Sequence, residues 1–115
     1  MPLVIYHNEA CSKSNTALDL LLQHNANFKI RNYIKDPLNL EELDVLLLKL
    51  QLPASAIVRK SETIFKDLFE GKDLREEEWK EALLQYPVLL ERPIAADENR
   101  AIVARPPETI LEFIG

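Results

Sequence analysis

A chain of 115 residues, 47% apolar and 29% charged, has room for one domain with an ordinary two- or three-layer core and none for a second. Its formal charge of −5 argues against general nucleic-acid or anionic-membrane binding, and no segment is long or apolar enough to cross a bilayer. A single cysteine excludes a disulfide scaffold and fits a reducing cytosol, and two glycines, Gly71 and Gly115, leave no material for a dinucleotide fingerprint or a phosphate loop.

The opening Met1-Pro2-Leu3-Val4-Ile5 lacks the basic region of a signal peptide, so a cytoplasmic location is expected. Residues 3 to 7 are apolar and partly β-branched, as in a central buried strand. Helical spacing follows, with Leu18, Leu21 and Leu22 on one face, Ser12 or Ser14 as cap, and an end between Gln23 and Asn27. Phe28 to Tyr33 alternates apolar and polar residues as a strand does, and Asp36-Pro37 closes it. These three elements make one βαβ unit with a right-handed crossover.

Leu40, Leu43, Leu47 and Leu50 recur behind Asn39, predicting a capped helix over residues 40 to 51. A short helix is expected from about Ser55, carrying Ile57, Val58 and Arg59, with helix or irregular turns from Ser61 to Phe69. Trp79, Leu83 and Tyr86 mark the inward stripe of a helix from about residue 75 that ends before Pro87. Ile94 to Ala96 and Ala101 to Ala104, with four polar residues between them, predict a hairpin. Ile110, Leu111 and Ile114 give a last helix behind Pro106-Pro107. The order is β-α-β, then helices, then β-β-α, an α/β fold with a parallel pair and an antiparallel pair in one mixed sheet.

Cys11 falls where the first strand gives way to the first helix. There the unpaired N–H groups and the positive end of the macrodipole favour thiolate, which can bring a cysteine below its free pKa of about 8.5. The other reading is a buried structural cysteine. With no second thiol, any catalytic sulfur here must be resolved from outside. His7 could donate a proton or support the thiolate, or simply satisfy a backbone carbonyl at the strand end. Asn8, Ser12 and Ser14 could hold the loop through side-chain to backbone bonds, and Lys13 adds positive charge near the sulfur. Arg92 and Arg105 flank the hairpin at one end and could converge on an oxyanion, or pair with Glu91 or Glu108; Arg59 is a third candidate. One cysteine with His7 and His24 makes no zinc cluster, so no metal is expected. A phosphatase-type loop needs arginine six residues after its cysteine, where this chain has Ala17.

Three segments, Ile5-Tyr6-His7-Asn8 with Cys11-Ser12-Lys13-Ser14, Glu91-Arg92-Pro93-Ile94, and Arg105-Pro106-Pro107-Glu108 with Ile110-Leu111-Glu112, resemble the arsenate reductase family, in the glutaredoxin-like branch of the thioredoxin superfamily. The likeness spans nearly the whole chain. It implies a thioredoxin-like four-stranded mixed sheet in one domain over residues 1–115, with a helical insertion at about 38–88. It further implies Cys11 as nucleophile toward arsenate and Arg59, Arg92 and Arg105 as oxyanion binders that stabilise a cysteine-arsenic adduct. Ser12, Lys13, Ser14 and Asn15 would border the substrate, and Pro93 would be a cis proline beside the site. Glutathione would be the co-substrate, with no bound cofactor, and a glutaredoxin would help release arsenite. A monomer is expected, because no surplus apolar face is obvious in the sequence.

One departure stands out. The family pattern of histidine, three residues, cysteine, three residues, arginine ends here in Asn15, which donates through an amide but brings no charge. Other glutathione-linked thiol chemistry is one alternative. The other is a partner-binding regulator of the same fold, although Ser14 stands where redox-regulated members carry a second cysteine, so a two-cysteine switch is absent.

Overall fold

In chain order the elements are β1 (Leu3–His7), α1 (Ser12–Gln23), β2 (Phe28–Asn32), α2 (Leu40–Leu50), α3 (Thr63–Leu68), α4 (Glu76–Gln85), β3 (Ile94–Ala96), β4 (Ala101–Val103) and α5 (Thr109–Ile114). This computed structural model describes residues 3–24 and 26–114. The parts of the leader reading that rest on Met1 and Pro2, of the first helix's end that rest on Asn25, and of the domain span that rest on Gly115 lie outside the described residues. Among the described residues no helix is long and apolar enough to cross a membrane. The chain divides into two compact units, Met1–Asp36 with Arg92–Gly115, and Pro37–Glu91.

The first unit carries the thioredoxin-like mixed sheet in the order β2-β1-β3-β4. β1 runs parallel to β2 and antiparallel to β3, and β3 to β4 is the antiparallel hairpin. β1 sits centrally because alternate residues Leu3, Ile5 and His7 are buried, with Ile5 wholly so. Leu3, Ile5, Ala17, Leu21, Ala95, Ala104, Ile110 and Phe113 form the core of this unit.

Two helix faces differ from the sequence expectation. α1 buries Ser14, Ala17 and Leu21, whereas Leu22 is 59% exposed. The inward stripe carries the smaller residues Ser14 and Ala17, and Ala17 and Leu21 join the cluster made by β1 and α5. In α5 the fully inward positions are Ile110 and Phe113, with Leu111 and Ile114 packed at the margin.

The second unit is helical. α2 opens with a capping box, the Glu42 N–H donating to Asn39 Oδ1 at 2.8 Å and the Asn39 N–H to Glu42 Oε1 at 3.1 Å. It buries Leu43, Leu46, Leu47 and Leu50 and ends at Gln51, whose φ of 58° is left-handed. The expected helix through Val58 and Arg59 is instead a single 3-10 turn over Ala54–Ile57. Val58 then bridges antiparallel to Leu90, and the Arg59 N–H donates to the Leu89 carbonyl. A distant pairing thus overrides the local helical signal. Phe65 of α3 stacks on Trp79 of α4 at 6.2 Å, with Phe69 and Tyr86 closing an aromatic cluster.

Candidate active site

Beyond His7 the chain turns on Asn8. The Asn8 side-chain oxygen accepts the Ala10 N–H at 3.0 Å, and its carbonyl accepts the Cys11 N–H at 3.0 Å. Cys11 is itself the N-cap residue of α1, with extended φ and ψ of −101° and 120°. Neither Ser12 nor Ser14 takes the expected capping role. The sulfur lies at the helix N-terminus, against the N–H groups left without intrahelical partners.

Cys11 is 6% exposed. Burial alone pushes its thiol up, but the Ser14 N–H, a hydrogen bond from the Arg92 guanidinium, the Lys13 N–H and the Arg92 charge together outweigh it and hold the thiol below its ordinary range. Lys13 contributes through its backbone, for its side chain is on the exposed side of the helix with Ser12.

His7 is buried, and its Nδ1 lies 2.6 Å from Ser14 Oγ, which also accepts the Asn8 N–H at 3.2 Å. Burial lowers the His7 pKa against a smaller upward influence of Glu9. Neutral His7 Nδ1 can therefore accept the Ser14 hydroxyl proton. Ser14 is the joint between strand end, loop and helix.

Asn15 is exposed, and its side-chain amide donates to the Glu9 carbonyl at 2.9 Å. The Glu9 carboxylate accepts from the Asn32 amide at 2.9 Å and pairs with Lys35 at 3.5 Å. Asn15 thus braces the loop that carries Cys11.

The sheet register supplies the rest of the site. Carrying His7↔Asn32, Tyr6↔Ile94 and Ile94↔Val103 past the strand ends sets Tyr33, Asn8, Arg92 and Arg105 level with one another at one end of the four strands. The contacts agree: Tyr33 hydrogen-bonds to the Arg92 and Asn8 side chains, and Arg105 Nη1 donates to the Arg92 carbonyl at 2.7 Å. Arg92 is 6% exposed and precedes Pro93, whose peptide bond is cis, as is the bond before Pro106. The sequence reading does not single out Tyr33 or Glu9; the parallel register, once known, points to Tyr33.

Arg59 belongs to the second unit. There its Nε pairs with Glu62 at 3.2 Å and its Nη1 with Glu91 at 3.1 Å. Among the described residues no three His, Cys, Asp or Glu side chains stand together as a metal-binding group.

The ArsC family model matches residues 6–113. An arsenate reductase of Haemophilus influenzae is 33% identical over 116 residues, covering 99% of this chain and 100% of that one. The uncharacterized protein YfgD of Escherichia coli is 35% identical over 113 residues, covering 96% and 95%. The solved structure of an arsenate reductase from Vibrio cholerae superposes with a TM-score of 0.90 at 36% identity, covering 97% of each chain. With its mixed sheet, its cysteine at the start of α1 and this match over nearly its full length, the chain belongs to the ArsC family.

Proposed function

We propose that the protein is an arsenate reductase with Cys11 as nucleophile and external thiols as reductant. The observation that carries this reading is the buried Cys11 sulfur, met by the N–H groups of α1 and by the Arg92 guanidinium and held below the ordinary thiol range. Such a sulfur is a ready nucleophile for an oxyanion, whose charge the same donors attract. The thiolate attacks arsenic, an S–As bond forms, and one As–O bond breaks with its oxygen leaving as water. Arsenic is still pentavalent at that point.

Reduction to arsenite takes two electrons, and Cys11 is the only cysteine in the chain. Both electrons come from outside, from glutathione and a glutaredoxin thiol that end joined as a mixed disulfide, while hydrolysis of the S–As bond frees Cys11. In this scheme Arg92 and Arg105 receive the oxyanion, Ser12, Lys13 and Ser14 border it with Asn15, and His7 handles a proton. Arg59 is assigned the same oxyanion role from the family pattern. The enzyme acts as a cytoplasmic monomer with no bound cofactor.

A second reading, glutathione-linked reduction of another small oxyanion, draws on Asn15, which gives its amide to Glu9 and no charge to the site. The deciding experiment measures arsenite production with glutathione, glutathione reductase and several glutaredoxins. Turnover by the wild type that vanishes in C11A supports arsenate reduction. A folded wild type with no turnover beside demonstrably active donors refutes it, and a gain in N15R alone shows that the native chain has left arsenate chemistry while keeping its framework.

A further inference from the structure

We propose that Tyr33 is the positioning residue of this site: its buried hydroxyl holds the Arg92 guanidinium against the Cys11 sulfur. The inference deepens the reading of Cys11 as nucleophile and rests on it.

Tyr33 is 1% exposed and directly follows β2. The register sets it level with Asn8, and Asn8 level with Arg92, so the phenol approaches the guanidinium along the end of the sheet. Its oxygen accepts from Arg92 and hydrogen-bonds to Asn8. Arg92 in turn donates to Cys11, and its carbonyl is fastened from the other side by Arg105. The guanidinium is thus held between Tyr33 and Cys11, while Arg105 fixes the backbone from which it extends.

A phenol suits this task better than a carboxylate. Burial pushes the Tyr33 hydroxyl up to about 12, against smaller downward influences of Arg92 and Asn8. It therefore stays neutral wherever the thiol titrates. A neutral oxygen orients the guanidinium without cancelling its charge, which is left for the sulfur and the incoming oxyanion, whereas a carboxylate at the same place would compete with both. A phenolate would also repel the Cys11 thiolate.

The charged and titratable groups facing the sulfur are Arg92 from the start of β3 and Tyr33 from the end of β2; His7 of β1 reaches α1 through Ser14, with Glu9 acting on His7. All but the substituted one are common to the variants compared, so differences between profiles report the substitution.

The test is the pH profile of Cys11 alkylation by iodoacetamide in wild type, Y33F, R92Q and the double variant, a readout that needs no arsenate turnover. R92Q is expected to raise the thiol pKa by about 1 unit or more. Y33F should raise it by a smaller amount and should add nothing in the R92Q background, because it acts through Arg92. An unchanged profile in Y33F beside a raised one in R92Q overturns the role of Tyr33 and leaves the Cys11 and Arg92 pairing intact. An unchanged R92Q profile overturns that pairing and the proposal with it. An equal Y33F shift in both backgrounds, the signature of a general packing defect, also overturns it. Site-specific 3-fluorotyrosine at position 33 keeps size and hydroxyl but weakens the acceptor, so it secures the comparison if Y33F folds poorly. A profile unchanged by fluorination in that case counts against the proposal.

Discussion

Replacing Ser14 by alanine tests whether the joint between β1, the Cys11 loop and α1 is built as described. Ser14 is completely buried, and its hydroxyl both accepts the Asn8 N–H at 3.2 Å and bonds His7 Nδ1 at 2.6 Å. Alanine fills nearly the same volume but leaves one buried backbone donor and one buried ring nitrogen without this partner. Each such loss costs about 1–3 kcal/mol, so S14A is expected to destabilise by roughly 2–6 kcal/mol, a large fraction of an ordinary domain's 5–15 kcal/mol. With a urea m-value of about 1–3 kcal/mol per molar, the midpoint should fall by on the order of 1 M or more at unchanged m. S12A is the control, because Ser12 is exposed and its side chain caps nothing; its midpoint should stay within about 0.5 kcal/mol of wild type. Urea unfolding at neutral pH reads both variants. A S14A midpoint indistinguishable from that of S12A would refute the reasoning, since the hydroxyl could not then be satisfying two buried groups.

Stability should also fall as the medium is acidified. Burial depresses the His7 pKa in the folded protein, so below about 6.5 the unfolded chain takes up a proton the folded one does not; the associated stability is present above that pH and lost as pH drops toward the folded value. Urea midpoints between pH 8 and 5.5 should show this slope, and H7Q should flatten it. R92Q is expected to lower kcat for arsenate by about 10²–10³-fold, as loss of an oxyanion donor does, with steady-state arsenite release as the measurement. R105A removes the donor to the Arg92 carbonyl and should raise the Cys11 thiol pKa by less than R92Q does, read by the same alkylation profile. I5A empties a fully buried place in the central strand and should cost about 2–5 kcal/mol in urea unfolding, whereas N39A, which loses one exposed helix cap in the other unit, should cost about 1 kcal/mol.

The parts of this structure legible in the sequence are those set by local rules. β1, the α2 cap at Asn39 and the hairpin of β3 and β4 follow from period, capping chemistry and turn spacing, and each forms where those signals place it. What escapes are positions decided by partners far along the chain. Ser14 reads as a cap because serine at a helix start usually is one, yet its hydroxyl is claimed by His7 across the loop. Val58 reads as helical until Leu90 arrives to pair with it. Tyr33 reads as the last apolar residue of an alternating strand, and only the strand order reveals that it lies level with Asn8 and Arg92.

Asn15 stands where the family pattern read from the sequence has arginine, and it serves the loop rather than the charge of the site. An arginine there would set its guanidinium one helical turn from Cys11; asparagine is too short for that and instead ties α1 to the Glu9 carbonyl, while the Glu9 side chain reaches Asn32 at the end of β2 and Lys35 just beyond it. The loop carrying Cys11 is therefore fastened on both flanks by bonds that involve a single acidic residue. Stabilisation of the thiolate falls on the N–H groups of Ser14 and Lys13 and on Arg92, which makes the orientation of that one guanidinium more consequential than it would be with a second cation at position 15. Putting arginine back has two opposed effects: it adds a donor fork for the oxyanion, and it removes the bond that holds the Glu9 carbonyl to the helix. Turnover and loop stability must accordingly be measured on the same N15R protein, since a gain in oxyanion binding has to exceed what the loosened loop gives up in Cys11 placement.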